Sequence, residues 1–89
     1  MKINDIFIPE DILEKINTKH SIEDWEVNEV FFNPDAYISI RKSQGKYVAY
    51  GQTFAGRYLL VGFKYHKQGM VEVRTARDMT DNERKLYRR

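Results

Sequence analysis

The sequence predicts an α+β domain: two N-terminal helices, an antiparallel sheet of about four strands in a meander, and a short C-terminal helix. Three observations predict it. Apolar residues recur at helical spacing as far as Phe31, then alternate with polar ones from Ala36 onward. Short turn signals, "SQGK" around Gly45, "AG" at Ala55 and Gly56, and "KQG" at residues 67–69, divide the alternating part into strands at hairpin spacing. "TDNE" at residues 80–83 is a capping box that starts a new helix. The 89 residues make one domain, 1–89, because a chain of this size buries only about 60 to 65% of its unfolded surface and cannot support two cores.

Taken in order, Ile3 to Ile8 is apolar enough for a short strand or an extended lead-in. Pro9, Glu10 and Asp11 suit the first turn of a helix, where proline loses no hydrogen bond and acids meet the positive end of the dipole. Ile12, Leu13 and Ile16 form one apolar stripe, which His20 continues. "SIED" reads as a capping box with Ser21 as N-cap, followed by a helix with Ile22, Trp25, Val30 and Phe31 inward and a stop before Pro34. The strands then run from Ala36, from Tyr47 to Phe54, from Arg57 to Tyr65, and over "MVEVRTA"; the third is the most apolar and so the central one. In the last strand, alternation places Val73, Thr75 and Arg77 on one face and Glu72 and Arg74 on the other. The closing helix is too short to stand alone in water, so Met79 and Leu86, with Tyr87 as a further candidate, dock it on the sheet.

Composition excludes several classes of function. The chain has no cysteine, which removes disulfides, thiolate metal sites and Cys nucleophiles and suits a reducing interior. Its apolar runs are too short to span a membrane and its opening has no signal-peptide core, so the expected compartment is the cytoplasm. His20 and His66 have no metal-ligand spacing, and there is no P-loop, dinucleotide fingerprint or nucleophile elbow; no cofactor is expected. Charge is uneven. Residues 1–45 carry five Lys/Arg and nine Asp/Glu, about −4, whereas residues 46–89 carry ten and four, about +6. The C-terminal half would attract phosphate backbones or an acidic protein at long range.

The polar residues that remain, Lys19, His20, Arg57, Arg74, Arg77, Glu83, Arg84 and several tyrosines, suit a phosphodiester. RNA is cleaved without a metal when its own 2′-hydroxyl attacks the adjacent phosphate, because the nucleophile is already in place and the protein orients it. Three tasks remain: taking the 2′ proton, stabilising the phosphorane oxygens and protonating the leaving 5′ oxygen. Each residue also has a structural reading. His20 reads equally as a helix-end packing residue, Arg57 as a strand-end charge, Glu83 as the capping-box partner of Thr80, and the tyrosines as sheet packing. Arg77, if inward, needs a carboxylate, the sheet's rim or a phosphate.

Three blocks, "KINTKHSIEDWEVNEVFFNP", "GKYVAYGQTFAGRYLLVGF" and "VRTARDMTDNERKLYRR", together resemble the BrnT family of toxins from bacterial type II toxin–antitoxin systems. The resemblance rests on a K-H pair, a G-x-T-x-x-G-R turn and an A-R-x-M-T-x-x-E-R-x-x-Y ending, in that order; the opening "MKINDIFIPEDIL" departs from the family's usual F-x-W-D. It implies a RelE-like fold and a metal-independent ribonuclease that halts translation. It also implies a ribbon-helix-helix antitoxin, BrnA-like, as neutralising partner, with DNA contacted only through that antitoxin. Carried over by position, the family's residues fall on Lys19, His20, Gly56, Arg57, Ala76, Arg77, Glu83, Arg84 and Tyr87. The expected roles are His20 as acid or base, Arg57 and Arg77 as phosphorane clamps, and Glu83 as a possible base. Lys19, Arg74, Arg84 and Tyr87 then bind substrate. The alternative class is a noncatalytic module whose basic half docks nucleic acid or protein.

Overall fold

Glu10 and Asp11 fill the first turn of the first helix, as the sequence leads one to expect, whereas Pro9 stands just before that turn as its cap, with extended backbone. In the computed structural model, which describes residues 1–89 apart from the Ser43 side chain, this helix is α1, Glu10–His20. It follows a short strand β1, Asp5–Phe7, and precedes α2, Asp24–Phe32. Strands β2 (Ser39–Ser43), β3 (Lys46–Gln52), β4 (Tyr58–His66) and β5 (Met70–Asp78) come next, and α3 (Asp81–Tyr87) closes the chain.

The junction between α1 and α2 departs from expectation. Ser21 does not cap α2; it ends α1 with φ of 54°, in the left-handed region, while its amide still reaches the Asn17 carbonyl at 2.9 Å. Only Ile22, fully buried, and Glu23 then remain to link the helices. Glu23 becomes the N-cap of α2, its N–H donating to Glu26 Oε1 at 3.0 Å. With the helix starting at Asp24, the inward positions are Val27, Val30 and Phe31, at i, i+3 and i+4, so Trp25 faces outward and is 54% exposed. α2 stops before Pro34 as expected, and the Asn33 side-chain amide ties its end to the carbonyls of Gln52 and Thr53.

The sheet has five strands, in the order β1-β5-β4-β3-β2, rather than about four. β2 to β5 form the expected antiparallel meander with β4 at the centre, although β2 starts at Ser39 and not at Ala36. The added strand is the lead-in, β1, which pairs parallel to β5 from Asp5 with Met70 to Phe7 with Glu72. A parallel partner comes from a crossover, here α1 to β4, and no local pattern in the three residues announces it.

Both helices pack on one face of the sheet. Ile12, Ile16, Ile22, Val27, Val30 and Phe31 meet Ala49, Leu59, Val61, Phe63, Val71, Val73 and Ala76 in the core. Each of these side chains larger than alanine contributes about 1.5 to 3 kcal/mol when buried. Gly51 permits the close approach of α2, since a Cβ there would stand 3.0 Å from Val30 Cγ1. Along β5 the pairing slips between Gly62 and Phe63: Gly62 faces Thr75 and Phe63 faces Val73, which leaves Arg74 as an extra residue. Such a bulge reverses the alternation beyond it. Val73 and Ala76 are therefore both fully buried, while Thr75 and Arg77 point to the opposite face, away from α1 and α2. Arg77 does not share a face with Val73.

α3 begins with the expected capping box: Thr80 Oγ1 accepts from the Glu83 amide at 3.2 Å, and Glu83 Oε1 accepts from the Thr80 amide at 2.8 Å. Met79 and Tyr87 are buried, but Leu86 is 58% exposed and does not enter the core. Tyr87 docks the helix instead. Its ring stacks on Tyr37 at 4.5 Å and meets Tyr58 edge-on at 5.9 Å, and its hydroxyl donates to the Tyr37 carbonyl. No helix is long and apolar enough to cross a membrane.

Candidate active site

The face of the sheet away from α1 and α2 carries the polar chemistry. Strand register sets its side chains in rows: Ser39, Tyr50, Leu60 and Arg77 form one, and Arg41, Val48, Gly62 and Thr75 the next. α3 stands at the edge of the first row. Between them lies a cleft of about 170 Å³ lined by Ser39, Arg41, Tyr50, Glu83, Leu86 and the Tyr37–Tyr87 stack.

Arg77 and Glu83 form a two-pronged ion pair beside this cleft, Nη1 to Oε1 at 2.8 Å and Nη2 to Oε2 at 2.9 Å. Arg77 Nη1 also donates to the Asp78 carbonyl at 3.0 Å. Nε–H and one Nη2–H stay free, and the side chain is 39% exposed, so Arg77 is held firmly yet still has donors to offer. The same hydrogen bonds from Arg77, helped by the Thr80 amide and opposed by partial burial, hold the Glu83 carboxyl at about 2.

Because this value lies below the ordinary 4.5 of the unfolded chain, the pair's stabilisation is complete above 4.5 and is lost as pH falls from there through about 2. Glu83→Gln is expected to flatten that acid limb in urea titrations at stepped pH, removing up to about 3 kcal/mol at neutral pH. An acid limb equally steep in the variant would assign the pH dependence to other carboxylates.

Arg57 is placed differently from expectation. Nε and Nη2 grip both oxygens of Asp78 at 2.8 and 3.0 Å; Nη1 donates to Glu26 at 3.1 Å and to the Ser21 carbonyl at 3.0 Å; Nη2 also donates to the His20 carbonyl at 2.7 Å. All five N–H groups are thus taken, and none is left for a phosphate. The contacts raise the Arg57 pKa further, mainly through Asp78. What Arg57 does in the fold is join the β3–β4 turn, the end of β5 and the α1–α2 junction.

The other expected site residues lie in two further clefts. Lys19 and His20 line one of about 270 Å³ between the end of α1 and β5, with Lys15, Arg74 and Thr75. The Arg57 hydrogen bonds, opposed by partial burial, lower the Asp78 pKa. Arg84 lies over the Tyr58 ring, 4.6 Å from its centre, and shares a cleft with Arg57 and Asp78. Arg77, Glu83 and Tyr87 are therefore gathered at one place, Lys19, His20 and Arg74 at a second, and Arg57 and Arg84 at a third. Arg41 and Ser39 were not among the expected site residues. Their signal is present in the sequence, since both alternate with Ile38 and Ile40 and so face away from the core.

In sequence the chain matches no protein-family model and no curated protein. In structure it is similar to the ribonuclease toxin BrnT of Brucella abortus, solved at 1.1 Å resolution, with a TM-score of 0.66 over 86% of this chain and 97% of that one. The two are 15% identical, and the likeness establishes a shared α+β fold.

Proposed function

We propose that this chain is a metal-independent endoribonuclease toxin that cleaves RNA on the face of its sheet away from α1 and α2, beside α3. The observation that carries the reading is the anchored yet accessible Arg77, beside an open cleft, on a fold shared with a ribonuclease toxin.

The 2′ oxygen attacks phosphorus, the bond to the 5′ oxygen breaks, and a 2′,3′-cyclic phosphate remains. Arg77 directs its free N–H groups to the equatorial oxygens, and Arg41, exposed and without a carboxylate partner among the described residues, adds a second cation from across the cleft. Glu83, held at about 2, is a weak proton acceptor at neutral pH; its role is to position Arg77. Proton transfer falls to His20, at the open edge of β5, and to Tyr50, in the same row as Arg77. Arg57 is a positioning residue, since it holds the His20 and Ser21 carbonyls and so the corner that carries Lys19 and His20. Loss of mRNA would halt translation in the cytoplasm. A ribbon-helix-helix antitoxin, BrnA-like, would silence the toxin and supply any contact with DNA.

A second reading, a noncatalytic binding module, draws on the separation of His20 and Arg77 into different clefts. Incubating end-labelled RNA with purified protein in EDTA distinguishes the two. Expected are discrete fragments ending in a 2′,3′-cyclic phosphate; RNA left intact by well-folded protein at high enzyme excess would sink the nuclease reading.

A further inference from the structure

On the face away from α1 and α2, Gly62 leaves a hollow in the middle of the sheet. A Cβ at this position would stand 2.8 Å from Thr75 Cγ2, so no side chain fits there without displacing Thr75. The hollow opens into a groove of about 400 Å³ whose floor is Val48, Gly62 and Thr75 and whose rim carries Lys46, Lys64 and Arg74. Lys46 and Lys64 have no carboxylate partner among the described residues, and Arg74 is tied to Glu72 at 3.1 Å while Glu72 also meets His66 at 2.9 Å. The bulge at Arg74 frees that side chain from the ladder's alternation and lets it border both this groove and the cleft of Lys19 and His20.

The groove continues the site already described. Its floor is the row next to that of Arg77, about 7 Å along the strands, and Lys64 stands one further step away. Steps of this size match the advance of a single strand from one phosphate to the next. Tyr47 and Phe63 also border the groove, but their rings stack on each other on the core side of the sheet, so the floor offers a base only the side chains of Val48 and Thr75 and a glycine, and the groove suits the sugar-phosphate backbone. We infer that the Lys46–Lys64–Arg74 groove is a second phosphate subsite that holds the RNA strand about one to two nucleotides from the bond cut beside Arg77. This rests on the nuclease reading for the identity of the polyanion. It implies that affinity for longer RNA is set away from the reacting phosphate and without regard to base sequence.

The test uses the full chain and a fluorescent RNA of about ten nucleotides, 2′-O-methylated throughout so that it binds but has no nucleophile. Anisotropy titrations over about 50 to 300 mM NaCl should give a linear log–log plot, and Lys46→Ala/Lys64→Ala should lower its slope by about 1.4, roughly 0.7 per lost phosphate contact. Affinity at the lower salt should fall about tenfold. A charge-matched control, Lys2→Ala/Lys85→Ala, should keep the wild-type slope. With cleavable RNA, the groove variant should lose kcat/KM on the longer oligonucleotide and retain it on a dinucleotide, which reaches only the Arg77 end. An unchanged slope in the groove variant overturns the inference and leaves the groove to an acidic protein segment; equal losses on both substrates overturn it too. If the wild type binds RNA with the expected slope but cuts none, the subsite stands and the nuclease reading falls.

Discussion

Arg57→Ala is expected to unfold the protein about 12 to 40 °C below the wild type. The magnitude follows from what the guanidinium leaves behind. Glu26 is 9% exposed, packed under the α1–α2 junction, and without Arg57 its carboxylate keeps only the Glu23 N–H as a partner. Removing one member of a buried ion pair costs about 3 to 5 kcal/mol, and in a domain of this size each kcal/mol lowers the midpoint by about 4 to 8 °C. The carbonyls of His20 and Ser21 lose their donor as well. Arg57→Lys should rescue little, because three donors on one nitrogen cannot reach acceptors on α1, α2 and β5 at once. Arg57→Ala/Glu26→Gln should be more stable than Arg57→Ala alone, since it leaves no uncompensated buried charge, Asp78 being half exposed. A melting curve for Arg57→Ala within a few degrees of the wild type would show that Asp78 and Glu26 are solvated well enough without it. The sequence suggests the opposite outcome, a phosphate ligand whose loss spares the fold, because an arginine after a glycine turn displays none of its acceptors.

The contrast marks what a linear reading can reach. The stop before Pro34, the centrality of β4 and the capping box at Thr80 are local, each decided within a few residues of itself, and all appear in the structure; the change of period read at Ala36 is followed by a strand only from Ser39. The acceptors of Arg57 lie 21, 31, 36 and 37 residues away, and only the closed fold brings them together. The bulge at Arg74 is a subtler case. Nothing in "VEVRTAR" interrupts the alternation, yet one unpaired residue moves Arg77 from the core face to the open one and so turns a buried cation in need of a partner into the centre of a candidate site. Ser21 is similar: its hydroxyl suggested an N-cap, while a two-residue link between helices required a left-handed residue there. Trp25 faced outward as a consequence of that shift. Arg41 and Tyr50 were legible in principle, since both sit at polar-facing positions of strands whose other face is apolar.

Arg77→Ala should reduce RNA cleavage by about 10² to 10³-fold in kcat, the loss seen when one preorganised donor to a developing oxyanion is removed. Binding of the 2′-O-methylated RNA should change little, because Arg77 shares the ground-state charge with Arg41 and the basic groove and is set apart by its fixed direction. The fixed direction comes from Glu83, and this gives a second, separable outcome. Glu83→Gln keeps a side chain of the same length, but replaces two charge-assisted bonds with at most one neutral acceptor, so Arg77 remains present and loosely held. It should lose kcat by about tenfold, with KM near that of the wild type, and the pH–rate profile near neutrality should keep its shape if Glu83 positions Arg77 and does not take the proton. A change in the basic form of that profile, or a loss as large as that of Arg77→Ala, would make Glu83 the base despite its value of about 2. Cleavage by Arg77→Ala within about tenfold of the wild type would move the reacting phosphate to the Lys19–His20 cleft, where Arg74 is the remaining arginine.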